Sequence, residues 1–120
     1  MTELQMGPIE SRFADIIWTN EPISSSELAK KSEAELTWKK TTSYTVLKRL
    51  CGKGIFVNNR GTVTSLISRE QFYSMQSAQY VEETFDGSLP AFIAAFIKQK
   101  KLSSKEIAEI QKMIEEAEEK

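Results

Sequence analysis

Histidine is absent from the 120 residues and cysteine occurs once, at Cys51. Zinc sites of the Cys/His type, intramolecular disulfides, imidazole acid–base chemistry and hydrolytic triads are thereby excluded. With the usual bases, metal ligands and phosphate loops missing, neither an enzyme nor a bound cofactor is expected. A lone thiol fits a reducing compartment. No apolar run approaches the roughly 18 residues that a membrane helix needs. Residues Met1 to Pro8 also lack the basic and apolar regions of a secretion signal, so a soluble, cytoplasmic protein without membrane insertion is expected.

The most informative absence is local. Sixteen basic and seventeen acidic side chains leave a net charge of -1, which says little about partners. Divided along the chain, the charge is -4 over residues 1–35, +7 over 36–69 and -4 over 70–120. The middle segment contains no carboxylate at all. A cationic block between acidic flanks points to one surface that meets a polyanion.

A first helix is predicted from Pro8, favoured at the first helical position, to about Thr19, with Ile9, Phe13, Ile16 and Ile17 on one face. Asn20-Glu21-Pro22 stops it. Ser24-Ser25-Ser26-Glu27 forms a capping box that starts a short helix over about Ser25 to Ser32, ended by Lys30 and Lys31 against the helix dipole. A third helix is read from about Lys39 to Lys53. Ser43, Val46, Leu47 and Leu50 form its apolar stripe, Thr41, Thr45 and Lys48 point the opposite way, and Thr42, Tyr44 and Arg49 lie on the shoulders. Gly52 or Gly54 ends it. Ile55–Val57 and Thr62–Ile67 are β-rich runs joined by Asn58-Asn59-Arg60-Gly61, a hairpin with a basic tip. Further capping boxes at Ser68–Gln71 and Ser103–Glu106 open helices to about Thr84 and to the polar tail, the second with Leu102 and Ile107 as a hydrophobic staple. Between them, Leu89 to about Lys100 is a strongly apolar helix.

The fold class expected is mainly α with a small β-hairpin. Two helices across a short turn, the second with an acid-free polar face, followed by a two-stranded wing, make a winged helix-turn-helix over residues 1–70. Residues 71–120 then form a helical region. A helix fits the major groove of double-stranded DNA, where Thr contacts thymine methyls or base edges and Lys or Arg reads guanine or neutralises phosphate. The later helices have too little chain for a core of their own, so Phe85, Leu89, Phe92, Phe96, Ile110 and Ile114 are expected at a homodimer interface. A twofold dimer would set two reading helices on a near-palindromic site.

The stretch Trp38-Lys39-Lys40-Thr41-Thr42-Ser43-Tyr44-Thr45-Val46-Leu47-Lys48-Arg49-Leu50, then Lys53-Gly54, resembles the W-x-x-x-T-x-x-T-x-L-x-R-L and K-G core of the penicillinase repressor family. The first helix ending in Trp18, the hairpin, Phe85-x-Gly87-Ser88-Leu89, the Phe96 helix and Leu102-Ser103-x-x-Glu106-Ile107 follow in family order, so the likeness spans nearly the whole chain. It implies a dimeric transcriptional repressor that binds a dyad operator. On matching positions it implies DNA contacts from Thr41, Thr42, Tyr44 and Thr45, phosphate contacts from Lys39, Lys40, Lys48, Arg49 and Arg60, and dimerisation through the C-terminal helices, Ile107 included. Tyr44 replaces an arginine of some members and lacks its bidentate guanine contact, which implies a different operator. Antibiotic-responsive members are relieved when a membrane sensor protease is triggered and an Asn-Phe bond is cut. The aligned bond here is Ala95–Phe96, with the phenylalanine kept and the asparagine replaced. Copper sensing through paired C-terminal cysteines is excluded, because this tail has none.

Several residues have plainer readings. Trp18, Trp38 and the Ile16–Ile17 pair read as packing residues and Cys51 as a small buried hydrophobe. Phe92, Ile93, Phe96 and Ile97 read as core or dimer contacts before a ligand pocket, and the glutamates from Glu115 to Glu119 as a solvated face. Two other functions fit the same elements: a winged-helix module that binds an acidic protein partner, and a regulator that responds to a small ligand.

Overall fold

A computed structural model describes residues 6–118. The N-terminal residues considered above as a secretion signal lie outside it up to Gln5, as do Glu119 and Lys120 of the polar tail. The chain divides into two compact units, with Ala78 ending the first and Gln79 beginning the second.

The first unit holds α1 (Pro8–Asn20), β1 (Ile23–Ser24), α2 (Ser25–Leu36), α3 (Lys40–Gly52), β2 (Phe56–Asn59), β3 (Thr62–Ser65) and the start of α4 (Arg69–Thr84). In α1, Pro8 sits in the first turn and Phe13, Ala14, Ile16 and Ile17 are buried. Ile9 is 48% exposed, contrary to expectation. Its helical phase is right, but at the second position of the helix it stays in solvent while Phe13, one turn on, is enclosed, and phase alone cannot tell where cover ends.

In α2, Ser24 caps as predicted, accepting from the Glu27 amide at 3.0 Å. The helix then runs past the expected stop at Ser32 to Leu36. Thr37 ends it in the left-handed region, at φ 57°, where its N–H reaches Glu33 O at 3.2 Å and the Trp38 N–H reaches Ser32 O. A β-branched residue is disfavoured at a position that usually takes glycine, which is why the sequence conceals this end.

The buried residues of α3 are Ser43, Val46, Leu47 and Leu50, as the period predicts. The Ser43 hydroxyl is buried without a hydrogen-bond partner. A buried unpaired hydroxyl is costly, so Ser43→Ala should stabilise the fold by about 1 kcal/mol, read as a higher thermal midpoint with DNA binding unchanged.

The sheet has three antiparallel strands in the order β1-β3-β2, not the two of the expected hairpin. β1 is the addition, pairing Ile23 with Val63 and Ser24 with Thr62. The wing turn is also tighter than read, because pairing continues to Asn59–Thr62 and leaves Arg60-Gly61 as the connection.

These elements close over Phe13, Ile17, Leu28, Leu50, Ile55, Phe56, Val63 and Phe72. Trp38 stacks on Phe13 at 5.1 Å, and Trp18 packs on Phe56 and Phe72 while its indole N–H donates to Ile67 O at 3.0 Å. Both tryptophans are half-buried at the edge of this core. α4 enters through the predicted Ser68–Gln71 capping box, with mutual bonds of 3.0 and 3.1 Å.

The second unit contains the rest of α4, α5 (Leu89–Gln99) and α6 (Ser104–Glu118). Ser88 caps α5, and the Ser103–Glu106 box opens α6 with bonds of 2.9 and 3.1 Å. Tyr80, Phe85 and Phe92 meet edge to face, with ring centres 5.5 to 6.1 Å apart. Among the described residues, none of α5 or α6 is fully buried.

Candidate nucleic-acid interface

The same helical period that buries Ser43, Val46, Leu47 and Leu50 turns the rest of α3 outward. Thr41, Thr42, Tyr44, Thr45, Lys48 and Arg49 are exposed, as are Lys39 and Lys40 at its start. Lys39 occupies the N-cap position without a side-chain cap bond, and the first turn holds no acidic residue. An unopposed helix N-terminus and two lysines make this end of α3 electropositive. The Lys40 ammonium lies 6.0 Å from the centre of the Tyr44 ring, within reach of a cation–π contact. Thr41, Thr42, Thr45, Val46 and Arg49 line a shallow groove along the helix. A second depression, between α3 and β2, is lined by Tyr44, Lys48, Cys51, Asn58 and Leu66 among others.

Arg60 is placed by the wing turn. Arg60 and Gly61 both have positive φ, 55° and 90°, as a two-residue hairpin connection of the primed type requires. The Asn58 carboxamide oxygen accepts from the Gly61 N–H at 2.9 Å and the Ser25 N–H donates to Gly61 O at 2.8 Å, so the tip is fixed from two sides. The Arg60 side chain is left in solvent.

Not every cation of the acid-free segment is unopposed. Arg49 forms an ion pair with Glu10 of α1. Arg69 pairs with Asp15 at 3.0 Å and donates to the Thr19 hydroxyl at 3.1 Å. Burial pushes the Glu10 carboxyl up, but hydrogen bonds from Arg49 and the Gly7 N–H, with the charges of Lys53 and Arg49, outweigh it and hold the group below the usual carboxylate range. Sequence reasoning missed Glu10 because it stands 39 residues before its partner and no local spacing links the two. Cys51 is half-buried, not enclosed, and burial raises its thiol above the ordinary value despite a backbone hydrogen bond at Asn58.

In the second unit, Leu89, Phe96, Ile107 and Ile114 are exposed, with Ile114 at 57%, while Phe85, Phe92 and Ile110 are half-buried. Phe85 and Phe92 spend part of their surface on each other. Ile93, Ile97 and Met113 add to the uncovered apolar area. Ala95 and Phe96 are exposed within α5. No helix of the described residues is long and apolar enough to cross a membrane.

Residues 6–116 match the protein family described as Penicillinase repressor. The chain is also similar to a penicillinase repressor of Bacillus licheniformis, with 27% identity over 116 residues that cover 93% of this chain and 91% of the relative.

Proposed function

The chain belongs to the penicillinase repressor family, and from that premise we propose that it acts as a homodimer whose two α3 helices and wings bind a dyad operator. Membership makes it a DNA-binding transcriptional repressor. The observation that carries the finer reading is the split of α3, with a buried stripe under a face of threonines, tyrosine and lysines that holds no carboxylate. Acidic groups are expensive against phosphate, and their absence leaves that face free to approach a duplex. Thr41, Thr42, Tyr44 and Thr45 are assigned to base and sugar contacts, and Lys39, Lys40, Lys48, Arg49 and Arg60 to phosphate.

Dimerisation is assigned to α5 and α6, whose exposed Leu89, Phe96, Ile107 and Ile114 a second copy would cover. Relief of repression is assigned to a cut at Ala95–Phe96 by a membrane sensor protease. A cut there would detach α6, and two half-sites that are no longer joined lose the benefit of high effective concentration.

Gel-shift titration against salt tests the reading. A dimer that neutralises roughly six to ten phosphates loses about 10³ to 10⁵ in affinity between 50 and 200 mM salt. Lys48→Ala should weaken all duplexes alike and flatten the salt slope by about 1 for each copy in the dimer, whereas Thr45→Ala should mainly relax sequence preference. Absence of retardation on any duplex at low salt would instead mark a module that binds an acidic protein.

A further inference from the structure

We propose that Glu10 sets the DNA affinity of this repressor as a positioning residue, by holding Arg49 in an ion pair that the phosphate backbone must compete with. The inference rests on the assignment of α3 to DNA. Arg49 belongs to the contact face, since it lines the α3 groove with Thr41, Thr42 and Thr45 and half its side chain is in solvent. Glu10 is the fixed partner of the two. Only 19% of its side chain is exposed, its Oε1 accepts from the Gly7 N–H at 3.2 Å at the start of α1, and Lys53 lies close enough to act on its charge. The mobile member is therefore the arginine, at the end of a flexible stem.

The segment 36–69 contains no carboxylate, yet the fold carries one from α1 to the edge of its contact face. Its position has two effects on an approaching duplex. One cation per copy is neutralised before contact, and a negative charge stands near the phosphates. Both effects reduce the part of binding that does not depend on sequence, while Thr41 and Thr45 keep their share. The Asp15–Arg69 pair differs, because Arg69 also bonds Thr19 and lies over the Trp18 ring at 5.8 Å, and so ties α4 to α1.

Glu10→Gln in the full chain tests the proposal, because the amide oxygen can still accept from Gly7 and preserve the start of α1. For each Arg49 engaged, binding to a random duplex is expected to tighten by about threefold and the slope of log K against log salt to steepen by about 0.9. In an Arg49→Ala background the same substitution should change the slope far less, a result that a merely structural role for Glu10 would not produce. Weaker or unchanged binding by Glu10→Gln, with an unchanged melting temperature, overturns the proposal. So does an equal effect in both backgrounds. Wild-type protein and Lys48→Ala run in parallel separate the two levels. If the wild type retards duplex and Lys48→Ala weakens it, a negative result removes only the role of Glu10. If the wild type retards nothing, the DNA assignment of α3 falls and takes this inference with it.

Discussion

Thr41→Glu is expected to reduce DNA affinity by at least about 100-fold while leaving the fold as stable as before or slightly more so. The two effects have opposite signs because Thr41 stands in two fields. Thr41 is the second residue of α3, whose first turn has no acidic residue and whose cap supplies no side-chain acceptor. A carboxylate there meets the positive end of the helix dipole and the neighbouring Lys40, a gain of about 0.3 to 1 kcal/mol. Toward DNA it stands on the proposed contact face, where juxtaposed like charges would cost several kcal/mol, and the proposed dimer would incur that cost twice. Thr41→Gln, without the charge, should lose far less. Thermal melting and gel shift on the same preparations separate stability from binding. If Thr41→Glu binds duplex as well as the wild type, the outer face of α3 is not the reading face.

That face was legible in the sequence because it depends on helical period alone. Ser43, Val46, Leu47 and Leu50 repeat at helical spacing, and the positions between them are forced outward whatever they pack against. The Ser68 and Ser103 caps were legible for a related reason, since each is closed by a side chain three residues away. Features set by tertiary contact were not. β1 is two residues long, too short for alternation to register, and exists because β3 lies beside it. The end of α2 is held by Thr37 in a backbone region that a threonine does not advertise. Ser88 was overlooked as a cap because no Glu or Gln follows it three residues later; Ala91 stands there. At the candidate interface, exposure of the residues was readable, but the pairing of Arg49 with Glu10 was not, since the partners are far apart in the chain. Summed charge over a segment therefore overstates what that segment offers to a polyanion.

Phe72→Ala should destabilise the first unit by about 3 to 5 kcal/mol, a large share of the roughly 5 to 15 kcal/mol that holds a small domain together. Phe72 is fully buried, packs on Trp18 with ring centres 5.7 Å apart, and belongs to the same core as Phe13, Phe56 and Val63. Its removal empties space between α1, the sheet and the start of α4 that rigid neighbours cannot refill. The cost extends to function, because Trp18 also packs on Phe56 of β2, the strand that leads to the wing tip. Loss of the ring should loosen the hairpin that presents Arg60. A chain ending at Glu70 lacks Phe72 altogether and should melt far below one ending at Ala78, which keeps it. Equal melting of the two truncated chains would show that α4 contributes nothing to the first unit. A lower midpoint for the shorter chain, matched by Phe72→Ala in the full chain, would place the working end of the first unit inside α4.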